Sequence, residues 1–415
     1  MICYTVFNML DLIDILNSGT ELNDAQLEFA AGQLLDENED IAIKTQFLKS
    51  LAKKGETPSE IAGFVKNFLK HAVDPKFSSD DCQGPTIDVC GTGGDKLDLF
   101  NISTASVFVL AAGGASVVKH GNRGITSKSG GADVLEELGV PIDLPVDDLR
   151  RCVLENNAGF LFAPLYHPAF KAVVPVRQEL AKEGIRTVFN LIGPLLNPVG
   201  PDYQLVGVFD STLTTTFAQI LGKLGRKRAW AVHGQGPNNE GMDEMSLCAE
   251  TKISEWNSNE VNEFNIDPQE FDLSPCELTD LKGGDPKENA SIITSILKNE
   301  EHGPKREIVA LNAAEFFQQA GFENYWQITF LVLGIIIIFC NIGLLFVNEP
   351  QPVDRAESQR RTDKMIEDKL GSSNILTSVV AWLIGTVIGP VISFFKKNGF
   401  NIAIAILGFV FLFKI

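Results

Sequence analysis

Residues 88–104, DVCGTGGDKLDLFNIST, constrain the fold more than any other part of the chain. An apolar run, 86–90, leads into three glycines, Gly91, Gly93 and Gly94, and then to Asn101, Ser103 and Thr104, residues of the kind that cap a helix. Strand, glycine loop and helix start in this order make a cradle for phosphate. Glycine lets backbone N–H groups approach an anion closely, and the helix N-terminus adds unpaired donors and a positive dipole end. Glycine-rich turns between strand and helix are common in α/β proteins, and most hold no ligand. This one is not the dinucleotide fingerprint, because its third glycine comes too early, and no Gly-Lys-Ser/Thr closes it as a P-loop. Asp95 and the polar residues after it exceed what one helix cap requires.

The same alternation recurs downstream. Apolar runs at 116–118, 159–163, 204–209 and 229–233 read as strands, and 104–112, 170–180 and 214–224 read as helices. That order predicts an α/β domain with parallel pairing over 82–320. Upstream, 9–72 carries helical periodicity: helices over 23–35 and 41–53, a stop at Gly55, and Thr57-Pro58-Ser59-Glu60 opening a helix over 61–69. Residues 1–75 are therefore expected to form a small helical domain. The acidic stretch 251–301 reads as a polar excursion followed by a helix at 288–297.

The net charge is −18, and residues from 324 onward carry +2, leaving −20 before them. So acidic a body does not suit nucleic acid, which needs a basic surface. Seven scattered cysteines without a CxxC pair suggest neither a disulfide framework nor a zinc site. The N-terminus lacks the basic and long apolar regions of a signal peptide, so a cytoplasmic catalytic domain is expected. The character of the chain changes near 320. Residues 326–347 and 374–395 are uncharged runs long enough to span a bilayer, and 400–413 is a shorter apolar run. The expectation is a membrane segment over 324–415 with two or three transmembrane helices.

Three further clusters carry chemistry. Residues 119–133, KHGNRGITSKSGGAD, follow a strand and offer Lys119, His120, Asn122, Arg123, Ser127 and Ser129, which would form the other wall of a phosphate cleft or a solvated basic turn. Gly241-Met242-Asp243-Glu244 places adjacent carboxylates on a turn, a donor set that suits Mg²⁺ bridging to diphosphate, although exposed acidic turns are common. Leu165-Tyr166-His167-Pro168 precedes Arg177 on the next helix, where a guanidinium facing a cleft could hold a carboxylate by two hydrogen bonds.

In this order, GTGGD…FNIST, KHGNR…SKSGGADVLEELG, FAPLYHPA, RTVFNLIGPLLNP, HG…GMDE, GGDPKENA and IVALNAA, the chain resembles the anthranilate phosphoribosyltransferase family as far as Ala314. The related pyrimidine nucleoside phosphorylases share the early glycine loop but lack KHGNR. The resemblance implies a small N-terminal helical domain before an α/β phosphoribosyltransferase domain, and transfer of phosphoribose from phosphoribosyl diphosphate (PRPP) to the amine of anthranilate. It implies that Gly91, Gly94, Asp95, Asn101, Ile102, Ser103, Thr104, Lys119, His120, Gly121, Asn122, Ser127 and Gly131 bind PRPP. Gly91, Asn122 and Arg177 would bind anthranilate, with His120 and Tyr166 nearby, and Ser103, Asp243 and Glu244 would ligate Mg²⁺. No residue stands out as a strong general base. An arylamine needs no deprotonation before attack, so stabilising the leaving diphosphate is the main catalytic task. A homodimer through the helical unit is also implied.

Three departures from the family pattern matter. Leu99 stands where a hydroxyl residue is frequent. Ala181-Lys182-Glu183 looks like an extra turn. After Ala314 the pattern gives way to the apolar tail, whose NEPQPVDRAESQRRTDK and VISFFKKNGFNIAIAIL resemble part of a muropeptide-permease-type transporter. Two or three spans cannot build a transport site. Charge bias would also place 355–369 inside and the enzyme outside, away from PRPP. The chain therefore reads as an enzyme joined to a transporter fragment, with an inactive membrane-bound chimera and a nucleoside phosphorylase as alternatives.

Overall fold

The computed structural model describes residues 7–124 and 128–319, with side chains as far as 314. Four helices come first: α1 (Met9–Asn17), α2 (Asp24–Leu35), α3 (Ile41–Lys54) and α4 (Pro58–Leu69). Their starts are set locally. Asn8, Asn23 and Thr57 each accept an N–H from the third helical residue, whose side chain bonds back to the cap. Gly55, at φ +89°, takes a left-handed backbone that ends α3.

The α/β part follows as β1 (Thr86–Gly91), α5 (Ile102–Ala112), β2 (Ser116–Gly121), α6 (Gly131–Glu137), α7 (Val146–Asn156), β3 (Ala158–Phe162), α8 (Ala163–Tyr166), α9 (Val174–Lys182), β4 (Tyr203–Gly207), α10 (Leu213–Lys223), β5 (Arg228–Gln235), β6 (Gly241–Met242), β7 (Thr251–Asn257), β8 (Glu260–Ile266), α11 (Pro286–Leu297) and α12 (Pro304–Gln319). The sheet order is β3-β2-β1-β4-β5-β7-β8, with β6 paired to β5. β3, β2, β1, β4 and β5 run parallel, and β7 and β8 antiparallel. The chain leaves β1 toward β2 and β3, then returns to the other side of β1 as β4. Loops after β1 and β4 thus diverge and open a crevice at their C-terminal ends, where ligands of open α/β sheets bind.

The sheet is mixed where parallel pairing alone was expected. The polar excursion begins as the β7–β8 hairpin. Its polar residues conceal a buried face: Thr251, Ile253 and Glu255 are buried, and Glu255 accepts hydrogen bonds from Arg228 Nε (2.6 Å) and Trp230 Nε1 (2.7 Å). The helix expected over 170–180 starts as a 3₁₀ turn, Pro168–Val173, before α9. The extra turn at 181–183 ends α9, and Glu183 pairs with Lys49 of α3 at 2.7 Å.

The N-terminal helices share one apolar core with α9, α10 and the segment between α9 and β4. Phe68 of α4 packs on Phe170 at 5.2 Å and on Phe189 at 5.6 Å between ring centroids. Among the described residues no helix is long and apolar enough to cross a membrane. The expected spans at 326–347, 374–395 and 400–413 lie outside the described residues.

Candidate active site

The glycines that end β1 and β4 make room for the acidic turn after β6. A Cβ on Gly207 would fall 1.5 Å from the Asp243 carbonyl oxygen, and one on Gly91 would fall 2.6 Å from Asp243 Oδ2. Asp243 therefore sits directly on the ends of the two strands that flank the crevice. Gly93, at φ +72°, donates its N–H to Asp243 Oδ2 at 2.5 Å. Gly94 lies so close to Phe209, after β4, that a side chain there would collide with the ring.

The start of α5 supplies the second contact. Ser103 donates its N–H to Glu244 Oε1 at 3.3 Å, and its hydroxyl oxygen accepts from Lys119 Nζ at 3.2 Å. Lys119, on β2, also donates to the Val89 carbonyl of β1 at 2.5 Å. A Cβ on Gly131, the first residue of α6, would lie 3.3 Å from Thr104 Oγ1 and 3.6 Å from Lys119 Cε. Ser103, Thr104, Lys119, Gly131, Asp243 and Glu244 thus converge from three elements and one turn.

Asn101 corrects one expectation. It stands at the N-cap position of α5 but makes no capping hydrogen bond. Its amide instead donates to the Ser129 carbonyl (3.0 Å), and its Oδ1 accepts from Ser129 Oγ (3.1 Å) and Asn289 Nδ2 (2.9 Å). The side chain joins the loop before α6 to α11, leaving the donors of α5 to Glu244. Ile102 is buried in the apolar core, and its N–H bonds the Phe100 carbonyl at 2.7 Å. Leu99 forms a bridge to Lys282.

Charge at the site is unbalanced. Asp243 and Glu244 are 8 % and 9 % exposed. Burial first, then repulsion from Asp95 and from Asp243 respectively, push Asp243 up to about 7 and Glu244 up to about 8. Burial likewise raises Asp95. Lys119 is the cation that opposes the Glu244 shift. Carboxyls raised in this way by burial and mutual repulsion mark a candidate functional site. No group of three His, Cys, Asp or Glu among the described residues could by itself hold a metal ion. A pair of adjacent carboxylates is a donor set compatible with Mg²⁺, which keeps several waters and takes one or two carboxylates plus phosphate oxygens.

A second cluster gathers at the C-terminal end of β2. His120 and His167 meet edge to face at 5.2 Å, and burial lowers the His120 pKa to about 3. His120 Nε2, His167 Nδ1 and Tyr166 Oη are buried without a hydrogen-bond partner among the described residues. Gly121 ends β2 against the Phe160 ring, 2.8 Å from where a Cβ would sit. Asn122 accepts through Oδ1 from Arg123 N at 2.8 Å and through its carbonyl from Ala132 N at 3.2 Å. Arg177 is exposed on α9, and among the described residues it joins none of the cradle through a hydrogen bond or ion pair. Ser127 lies outside the described residues.

Asp88 and Asn197 hold this arrangement and were not singled out in the sequence. Asp88 is fully buried, accepts from His120 N (3.2 Å) and Asn197 Nδ2 (2.9 Å), and is raised to about 6 by that burial. Asn197 Nδ2 also donates to the Val118 carbonyl at 2.6 Å, so the pair locks β1 and β2 behind Lys119 and His120. An aspartate inside an apolar strand is a visible signal for such a role. Asn197 stands in the RTVFNLIGPLLNP motif, but nothing near it in the chain points to Asp88, 109 residues away.

The crevice, with its glycine cradle, buried lysine and acidic turn, lies in a glycosyl-transferring α/β domain: residues 83–328 match the glycosyl transferase family, a/b domain. That match runs beyond Ala314, where the sequence motifs end. The chain is 40 % identical over 311 residues to the anthranilate phosphoribosyltransferase of Desulfatibacillum aliphaticivorans, covering 75 % of this chain and 88 % of that one. Its fold is similar to the crystal structure of the Thermus thermophilus anthranilate phosphoribosyltransferase, with TM-score 0.71, 36 % identity, and coverage of 79 % and 94 % of the two chains. It is also similar to the Saccharomyces cerevisiae enzyme solved in complex with PRPP and Mg, with TM-score 0.68, 26 % identity, and coverage of 79 % and 93 %. The chain belongs to the anthranilate phosphoribosyltransferase family.

Proposed function

We propose that this chain transfers phosphoribose from PRPP to the amine of anthranilate and releases diphosphate, using Mg²⁺ held at Ser103, Asp243 and Glu244. The observation that carries the reading is the buried Asp243–Glu244 pair lying against the N–H groups of the glycine loop and of α5. The yeast relative, solved with PRPP and Mg, supports the choice of ligands.

Each residue has a task. Gly91, Gly94, Asp95, Asn101, Ile102, Thr104 and Lys119 bind the phosphates, and Gly121, Ser127 and Gly131 complete the set assigned to PRPP. Gly91, Asn122 and Arg177 receive anthranilate, with His120 near the ring. When bound, Mg²⁺ supplies positive charge to the departing diphosphate. Lys119 adds a fixed ammonium, held by Val89 and Ser103 so that it costs no reorganisation during the reaction. His120 is held neutral by burial and so contributes no competing charge. The amine attacks with its own lone pair, and the proton it sheds can leave to solvent.

The apolar runs in 324–415 would attach the chain to a membrane, and the N-terminal helices would carry a homodimer contact. Both rest on the sequence alone. The test of function is diphosphate release by the full chain with PRPP and Mg²⁺. Release that requires anthranilate supports the proposal. Release of thymine from thymidine with phosphate, and none with PRPP and anthranilate, would replace it with a nucleoside phosphorylase.

A further inference from the structure

Asn312, on α12, holds the metal turn from behind. Its Oδ1 accepts the Met245 N–H at 3.1 Å, and its Nδ2 donates to the Met245 carbonyl at 3.3 Å and to the Ile308 carbonyl of its own helix at 2.8 Å. Asn312 is 3 % exposed and the Met245 side chain is fully buried. The N–H that Asn312 accepts belongs to the peptide plane that also carries the Glu244 carbonyl. On its other side that carbonyl oxygen lies against Gly234, 2.5 Å from where a Cβ there would stand. The plane following Glu244 is thus held by Asn312 on one side and closely approached by the Gly234 backbone on the other.

We propose that Asn312 is a positioning residue for the Asp243–Glu244 pair, an inference that rests on the metal reading above. An amide that engages both backbone groups of one residue restrains its rotation as well as its translation. A residue one peptide bond from Glu244 then sets where that carboxylate points. Partners that orient metal-binding carboxylates govern affinity although they never touch the metal. Asn312 follows Ile308, Val309, Ala310 and Leu311, all 1 % exposed or less, so the clamp is carried on a firmly packed helix.

The experiment is a Mg²⁺ titration of PRPP- and anthranilate-dependent turnover in the full chain, comparing the parent, Asn312→Ala and Glu244→Gln. Asn312→Ala is expected to raise the Mg²⁺ concentration for half-activity about ten- to hundredfold. Its KM for anthranilate should stay within about twofold of the parent, a split that general loosening of the fold would not produce. Unchanged Mg²⁺ dependence in Asn312→Ala, while Glu244→Gln alters it, overturns the positioning role alone. Parent-like Mg²⁺ dependence in Glu244→Gln overturns the metal reading and the positioning role with it. Should Asn312→Ala not fold, amide hydrogen exchange of the parent decides. The Met245 amide is expected to exchange as slowly as the central amides of β5, and rapid exchange overturns the clamp.

Discussion

Glu244 Oε1 accepts the backbone N–H of Ser103 at 3.3 Å, so the first turn of α5 is closed by a carboxylate 141 residues away in the chain. Asp243 does the same for the glycine loop through Gly93. The acidic turn thus engages the same N–H groups that a diphosphate would need. A bound cation would let carboxylate and phosphate share one side of the crevice.

Asp243→Asn combined with Glu244→Gln should therefore remove most turnover while keeping the fold. The amide oxygens can still accept from Gly93 and Ser103, and two buried like charges disappear. Turnover should fall at least about 100-fold. Near-parent rates in a variant with a normal melting curve would contradict the metal assignment.

The same pair predicts how stability varies with pH. Their folded pKa values, about 7 and about 8, lie above the ordinary values of 3.8 and 4.5. The unfolded chain ionises these groups more readily, so the metal-free protein loses stability as pH rises toward 8. Melting in a chelator should show the midpoint falling from about pH 5 to about pH 8, with saturating Mg²⁺ flattening the slope. A midpoint that rises over this interval in chelator would show that the pair is not destabilised by its charge.

Arg177→Ala should raise the KM for anthranilate about ten- to hundredfold, the loss of one charge-assisted bidentate contact, and change the KM for PRPP little. The side chain is exposed on α9, so its removal leaves the fold intact. Steady-state kinetics with each substrate varied separately distinguishes this from a role in PRPP binding, which would move the other constant.

Gly207→Ala should damage both stability and activity. The added Cβ would meet the Asp243 backbone oxygen at 1.5 Å, and backbone cannot move aside as a flexible side chain can. A cost near the upper end of overpacking penalties, about 3 kcal/mol, is expected, with the acidic turn displaced. Chemical denaturation checks the first effect and Mg²⁺ half-saturation the second.

Much of this was legible because the signals are local. The glycine loop, the Thr57-Pro58-Ser59-Glu60 start of α4 and the apolar runs of β1, β2, β4 and β5 depend on neighbours in sequence. What was hidden depends on partners far away. Asn101 has the composition of a helix cap, but Asn289 and Ser129 draw its side chain elsewhere. β7 reads as polar because Glu255 looks solvent-facing until Arg228 and Trp230 are seen to satisfy it. Asn312 lies in a family motif, yet nothing near it in the chain points to Met245.

The most direct test of the central claim is loss of anthranilate fluorescence on mixing the full chain with PRPP and anthranilate, with and without Mg²⁺. The expected result is continuous loss that requires both PRPP and Mg²⁺ and is abolished in the Asp243→Asn, Glu244→Gln double variant. A folded chain that leaves the fluorescence unchanged with all three present would contradict it.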